Sequence, residues 1–147
     1  MNIIGFNFTK MAATKMDGAR PTNISTNIEF TDLAKDKVEL LKDADTSIVS
    51  FKYSLNYEGK KDATDKKEPN KQGEILLEGK ITLTVTKDES KNLSKSWKKK
   101  QLPEAIKVPL FNLILKKCTP KTVFFQDEVN LPSHIPMPRI SQKQQQN

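Results

Sequence analysis

Alternation of apolar and polar positions dominates the first part of the chain. Ile4, Phe6 and Phe8 are separated by Gly5 and Asn7 and followed by Thr9, the period of two that a half-buried strand imposes. Asp17-Gly18 and Arg20-Pro21 then mark a turn. In a second strand Ile24, Ile28 and Phe30 share one face and Ser25, Asn27 and Glu29 the other, with polar Thr26 among the apolar set. The third strand is the clearest: Val49, Phe51, Tyr53, Leu55 and Tyr57 alternate with Ser50, Lys52, Ser54 and Asn56. A fourth runs through Ile75, Leu77, Gly79, Ile81, Leu83 and Val85. It is opposed by Glu74, Glu78, Lys80, Thr82, Thr84 and Thr86, with Leu76 breaking the polar face. Such alternation predicts an antiparallel sheet with one buried and one wetter face, whereas a parallel sheet needs continuous apolar runs joined by helices.

Between the third and fourth strands, residues 58–73 hold five lysines and four acids and almost nothing apolar, which predicts a flexible solvated loop. After Thr86 the period changes. Asp88-Glu89-Ser90 supplies capping residues, and Leu93 and Trp97 stand at i, i+4, so a first helix is expected over 90–100, ending near Leu102-Pro103. Pro103 can open a second helix with Glu104 in its first turn. Ile106, Leu110, Leu113 and Ile114 make its stripe, and Lys116-Lys117 suits its C-terminal end. Pro109 removes a donor and is expected to kink or delay this helix. Prolines at 132, 136 and 138 make residues 129–140 an extended segment, and residues 141–147 read as a disordered polar tail. Strands followed by helices mean α+β, here as one domain over residues 1–140.

Composition narrows the chemistry. A chain of 147 residues suits one domain, but only 35% of it is hydrophobic, so part is solvated or apolar surface is shared with a partner subunit. With one histidine and one cysteine there is no Cys/His zinc set, and neither Gly-x-Gly-x-x-Gly nor a P-loop is present. No metal or cofactor is expected. His134 sits in the proline-rich segment without an evident acid or nucleophile, and Cys118 reads as an ordinary thiol near a helix end, so no catalytic residue is assigned and no enzyme is expected. The lone cysteine suits a reducing compartment, and the first residues lack the charged and apolar regions of a signal peptide, which points to the cytoplasm. The longest apolar run, 108–115, is broken by Pro109 and Asn112 and is too short to span a membrane.

The formal charge is +7. Lys95, Lys98, Lys99 and Lys100 surround Trp97, an arrangement able to lie on phosphates, so a nucleic-acid-binding protein is the alternative reading. Against it, Arg20 and Arg139 are the only arginines, and most large aromatics are committed to strand inner faces. A solvated lysine face is the simpler account. What a monomer core leaves over is apolar: Trp97, Leu102, Val123, Phe124, Phe125, Val129, Leu131 and Ile135 fall in short or extended segments. They can cover a sheet edge, form a subunit interface or line a groove for extended chains.

The order of strands, paired helices and extended tail resembles SecB, the bacterial export chaperone family. The local likeness runs from Leu102-Pro103-Glu104-Ala105-Ile106 through Val108-Pro109-Leu110 to Cys118, then to Val129-Asn130-Leu131-Pro132. The resemblance implies ATP-independent holding of unfolded or precursor polypeptides by a homo-oligomer, a dimer or dimer of dimers, with clients in apolar grooves. On matching positions it implies that Trp97, Leu102 and Ile106 belong to the helix connection or its edge, Ile28 and Phe30 to the second strand, and Phe124 to the region after the second helix, all as polypeptide-binding residues. The family is typically acidic and meets the SecA motor through acidic surface and its C-terminal end. A basic chain ending in Gln-Gln-Gln-Asn departs from that pattern, so SecA is not carried over and a dedicated partner such as an antitoxin stays open.

Overall fold

The computed structural model describes residues 1–36, 44–59 and 70–142. Four strands come first, β1 (Asn2–Lys15), β2 (Asn23–Asp36), β3 (Ala44–Glu58) and β4 (Lys71–Thr86), followed by α1 (Lys87–Trp97) and α2 (Glu104–Glu128). The sheet order is β1-β4-β3-β2 with every neighbour antiparallel, so β3 and β4 are central and β1 and β2 are edges. Beyond α2 the chain runs without helix or strand to Ile140. This is the α+β architecture that the alternation predicts.

The two central strands carry the core. Val49, Phe51, Tyr53, Leu55 and Tyr57 of β3 and Ile75, Leu77, Ile81, Leu83 and Val85 of β4 are all buried on the helix-facing side. Gly79 is required by close approach: a Cβ there would sit 2.5 Å from the Asn7 carbonyl oxygen and 2.7 Å from the Phe51 ring. The opposite face is polar, and its charges alternate in register: Lys10, Glu78, Lys52 and Glu29 stand side by side across β1, β4, β3 and β2. Opposite charges directly across a strand pair favour this register over a slipped one.

Several boundaries differ from expectation. Lys71, Gln72 and Gly73 belong to β4 rather than to the loop. The Met16 amide donates to the Gln72 carbonyl at 3.0 Å and the Gly59 amide to the Asn70 carbonyl at 2.8 Å, so the backbone ladder continues where the apolar pattern has stopped. The rest of that expected loop, 60–69, and residues 143–147 of the expected tail lie outside the described residues. Helix α1 starts three residues earlier than expected. Its N-cap is Thr86, whose hydroxyl accepts from the Glu89 amide while the Glu89 carboxylate accepts from the Thr86 amide, a complete capping box.

The largest correction concerns α2, which does not end near Lys117 but continues to Glu128. Its buried residues are Ile106, Leu110, Ile114, Cys118, Thr122 and Gln126, one in every four. Such a row is an i±4 ridge, the surface helices use when they pack ridge into groove. Pro109 and Pro120 both lie inside the helix. The carbonyls they leave without a helical donor belong to Ala105 and Lys116, both exposed residues whose carbonyls water can serve, so the helix runs through.

Candidate functional site: an apolar trough beside β2

Because β2 is an edge strand, its helix-facing row is covered from one side only. Ile24, Ile28, Phe30 and Leu33 pack against the core but stay half-buried. A bulge between Phe30 and Asp32 keeps Leu33 on the same face as Phe30 despite their odd spacing. The flank of α2 supplies the second wall. Phe111 stacks on Phe30 with centroids 5.0 Å apart and planes 15° from parallel, and the Lys107 ammonium sits 5.6 Å from the Phe111 centroid. Leu115, one turn further on, is 41% exposed.

At the α1 end the trough deepens into a cavity of about 190 Å³, lined by Leu33, Lys35, Ser47, Ser90, Leu93, Ser94, Trp97 and Lys98. Leu93 is buried and Trp97 half-exposed, so the i, i+4 pair read from the sequence forms this cavity's helical wall. Ser90 is 2% exposed, and its hydroxyl has no hydrogen-bond partner among the described residues. The Ser94 hydroxyl, by contrast, donates to the Ser90 carbonyl at 3.1 Å.

The opposite end of the helix row is closed. Gln126 donates from Nε2 to the Tyr57 hydroxyl at 2.7 Å and to His134 Nδ1 at 2.8 Å, and the Tyr57 hydroxyl donates to the Pro132 carbonyl at 2.7 Å. An amide donor at Nδ1 requires that nitrogen to be unprotonated, and burial lowers the His134 pKa to the same effect. Burial raises the Tyr57 pKa, with the Gln126 hydrogen bond opposing and Tyr53 adding to the rise. These groups tie the extended segment to the sheet. Burial pushes the Cys118 thiol up to about 12, so it stays protonated and unreactive at neutral pH. Among the described residues no three His, Cys, Asp or Glu side chains stand close enough to hold a metal ion. No described helix is long and apolar enough to cross a membrane.

The six residues singled out from the sequence are distributed unevenly. Ile28, Phe30 and Trp97 line the trough or its cavity. Leu102 and Ile106 are each only 6% exposed and belong to the core. Phe124 lies within α2 rather than after it; it is 58% exposed and meets Phe125 edge-on at 5.6 Å. It sits on the outer row of the helix, with Val108 and Lys116, away from the trough. Leu33, Lys35 and Phe111 were missed. The bulge hid Leu33 and Lys35 by shifting the parity of β2, and Phe111 lies beside the buried helix row rather than on it.

No protein-family model matches the chain, and no curated protein matches its sequence. Among solved structures it is similar to a SecB-like chaperone of Mycobacterium tuberculosis, solved in complex with a ChAD peptide from an antitoxin. That likeness covers 96% of this chain and 91% of the other at 11% identity, with a TM-score of 0.46.

Proposed function

We propose that this chain is an ATP-independent chaperone that holds extended, unfolded or precursor polypeptide in the trough beside β2. One observation carries the reading: the helix-facing row of an edge strand, from Ile24 to Leu33, is half-open along its length and walled by Phe111. An extended client can pair with the free backbone edge of β2 and lay alternate side chains on that row. Ile28, Phe30 and Trp97 are then direct contacts, and Leu102 and Ile106 hold the walls from beneath. The reading also includes a homo-oligomer. Val108 and Phe124 on α2 and Ile3 and Ile4 on β1 are exposed apolar side chains that a second copy can cover. A buried, protonated lone thiol suits the reducing cytoplasm.

The test is dilution of a chemically unfolded model polypeptide into the purified protein without nucleotide, followed by light scattering. Near-stoichiometric suppression of aggregation, surviving moderate salt and reduced in Ile28→Asp and Phe30→Asp variants that keep their circular dichroism, is the expected result. A folded protein that suppresses nothing overturns the reading. The alternative, nucleic-acid binding, is favoured by the six lysines of residues 87–100. Its signature is oligonucleotide affinity that falls steeply with salt at constant oligomeric state.

A further inference from the structure

The cavity at the α1 end holds groups that an apolar trough does not require. Lys35 occupies the helix-facing side of β2, in register with Ser47, where the preceding positions of the row are Phe30 and Leu33. Lys98 follows the last turn of α1, and Lys107 borders the trough above Phe111. Among the described residues neither Lys35 nor Lys98 is paired with a carboxylate, and no acid lines the cavity. Among the described residues the buried Ser90 hydroxyl, also in the lining, has no acceptor. An unmade buried hydrogen bond costs about 1–3 kcal/mol; the Tyr53 hydroxyl and Gln126 Oε1 are in the same state among the described residues, and of the three Ser90 alone lines the cavity.

Leu33, Leu93 and Trp97 give the cavity apolar walls, Ser47 and Ser90 are buried in its lining, and Lys35 and Lys98 are exposed. Its volume of about 190 Å³ lies below the roughly 300–1,000 Å³ of pockets that enclose free small-molecule ligands. It suits one apolar side chain whose neighbouring residue is anionic.

We infer that the cavity selects acidic segments: an aromatic or aliphatic client side chain fills it while a carboxylate of the same segment sits between Lys35 and Lys98 at its margin. This rests on the polypeptide-binding reading and names the class of segment that reading leaves open. Preference for acid then comes from two lysines at one end of the trough, not from the charge of the whole molecule.

The probe is a set of fluorophore-labelled extended peptides with identical apolar positions, flanked by Glu, Gln or Lys, measured by anisotropy against the full chain. The Glu form is expected to bind about tenfold more tightly than the Gln form, as two partly exposed ion pairs provide. The Lys form should bind most weakly. In K35E/K98E the order reverses. In K15E/K80E, with the same change in net charge on the far edge and outer face of the sheet, Glu stays first. Equal binding of the three peptides, or a Glu-first order that survives K35E/K98E, overturns the inference. If the Gln peptide binds and Glu adds nothing, only this inference falls. If none of the peptides binds, the polypeptide-binding reading falls and takes this one with it.

Discussion

Ser47 and Tyr57 stand ten residues apart on the helix-facing row of β3, about 33 Å of strand. Around Ser47 the sheet, β2 and α1 enclose a cavity with a buried hydroxyl left over. Around Tyr57 the polar groups of strand, helix and extended segment meet one another, and of these Gln126 Oε1 alone is buried without a partner. One end is thus closed by the chain's own tail and the other is open, although the same strand passes through both, under α1 at the open end and α2 at the closed one. The contrast locates where this molecule has room for another.

The strongest way to break the comparison is Leu93→Ala. This side chain is 1% exposed and joins the open end to the core, so its loss should cost about 2–5 kcal/mol in denaturant unfolding. A cost near zero would mean that the cavity end is not part of the cooperative unit. At the closed end Tyr57→Phe removes a hydroxyl that both gives and receives a hydrogen bond, and should cost about 1–3 kcal/mol. It should also speed hydrogen exchange at the Leu131 amide, which donates to the Gln126 carbonyl at 2.9 Å. Unchanged exchange there would show that the tail is held by other means.

Thr86→Ala, which opens the capping box of α1, should lower stability by about 0.5–2 kcal/mol. The accompanying loss of peptide binding should be confined to the cavity end of the trough. The smallest effect is that of pH. His134 has a folded pKa below its ordinary 6.5, so the unfolded chain binds the extra proton first. Its contribution is complete above about pH 6.5 and is lost as pH falls through the lowered folded value. His134→Asn should flatten unfolding midpoints across that window, and a slope that persists would assign the acid sensitivity to another group.

The central strands were legible because burial on one face writes a period of two into β3 and β4. The edges were less so. Lys71 to Gly73 pair through backbone alone, which leaves no hydrophobic trace. Thr86 is both the last residue of β4 and the cap of α1, and a strand reading of it concealed the cap. The second half of α2 was lost because Lys116, Lys117 and Pro120 imitate a helix end, while the buried row passes on to polar Thr122 and Gln126. Of the candidate site, Trp97 was readable as a surplus apolar residue, whereas Ile28 and Phe30 read as the apolar face of a strand and entered only through the family resemblance. What could not be read was which surplus the core would absorb: Leu102 was taken in, Phe124 was not. Their side chains are equally apolar, and only the path of α2 separates them.

That path has a mechanical side. An α-helix turns about 100° per residue, so a row of every fourth residue creeps about 40° round the helix for each 6 Å or so of rise. From Ile106 to Gln126 it passes more than halfway round. The helix is threaded into its seat like a screw, and it cannot advance without turning. Phe111 stands beside this row and stacks on Phe30, and there the thread meets the trough.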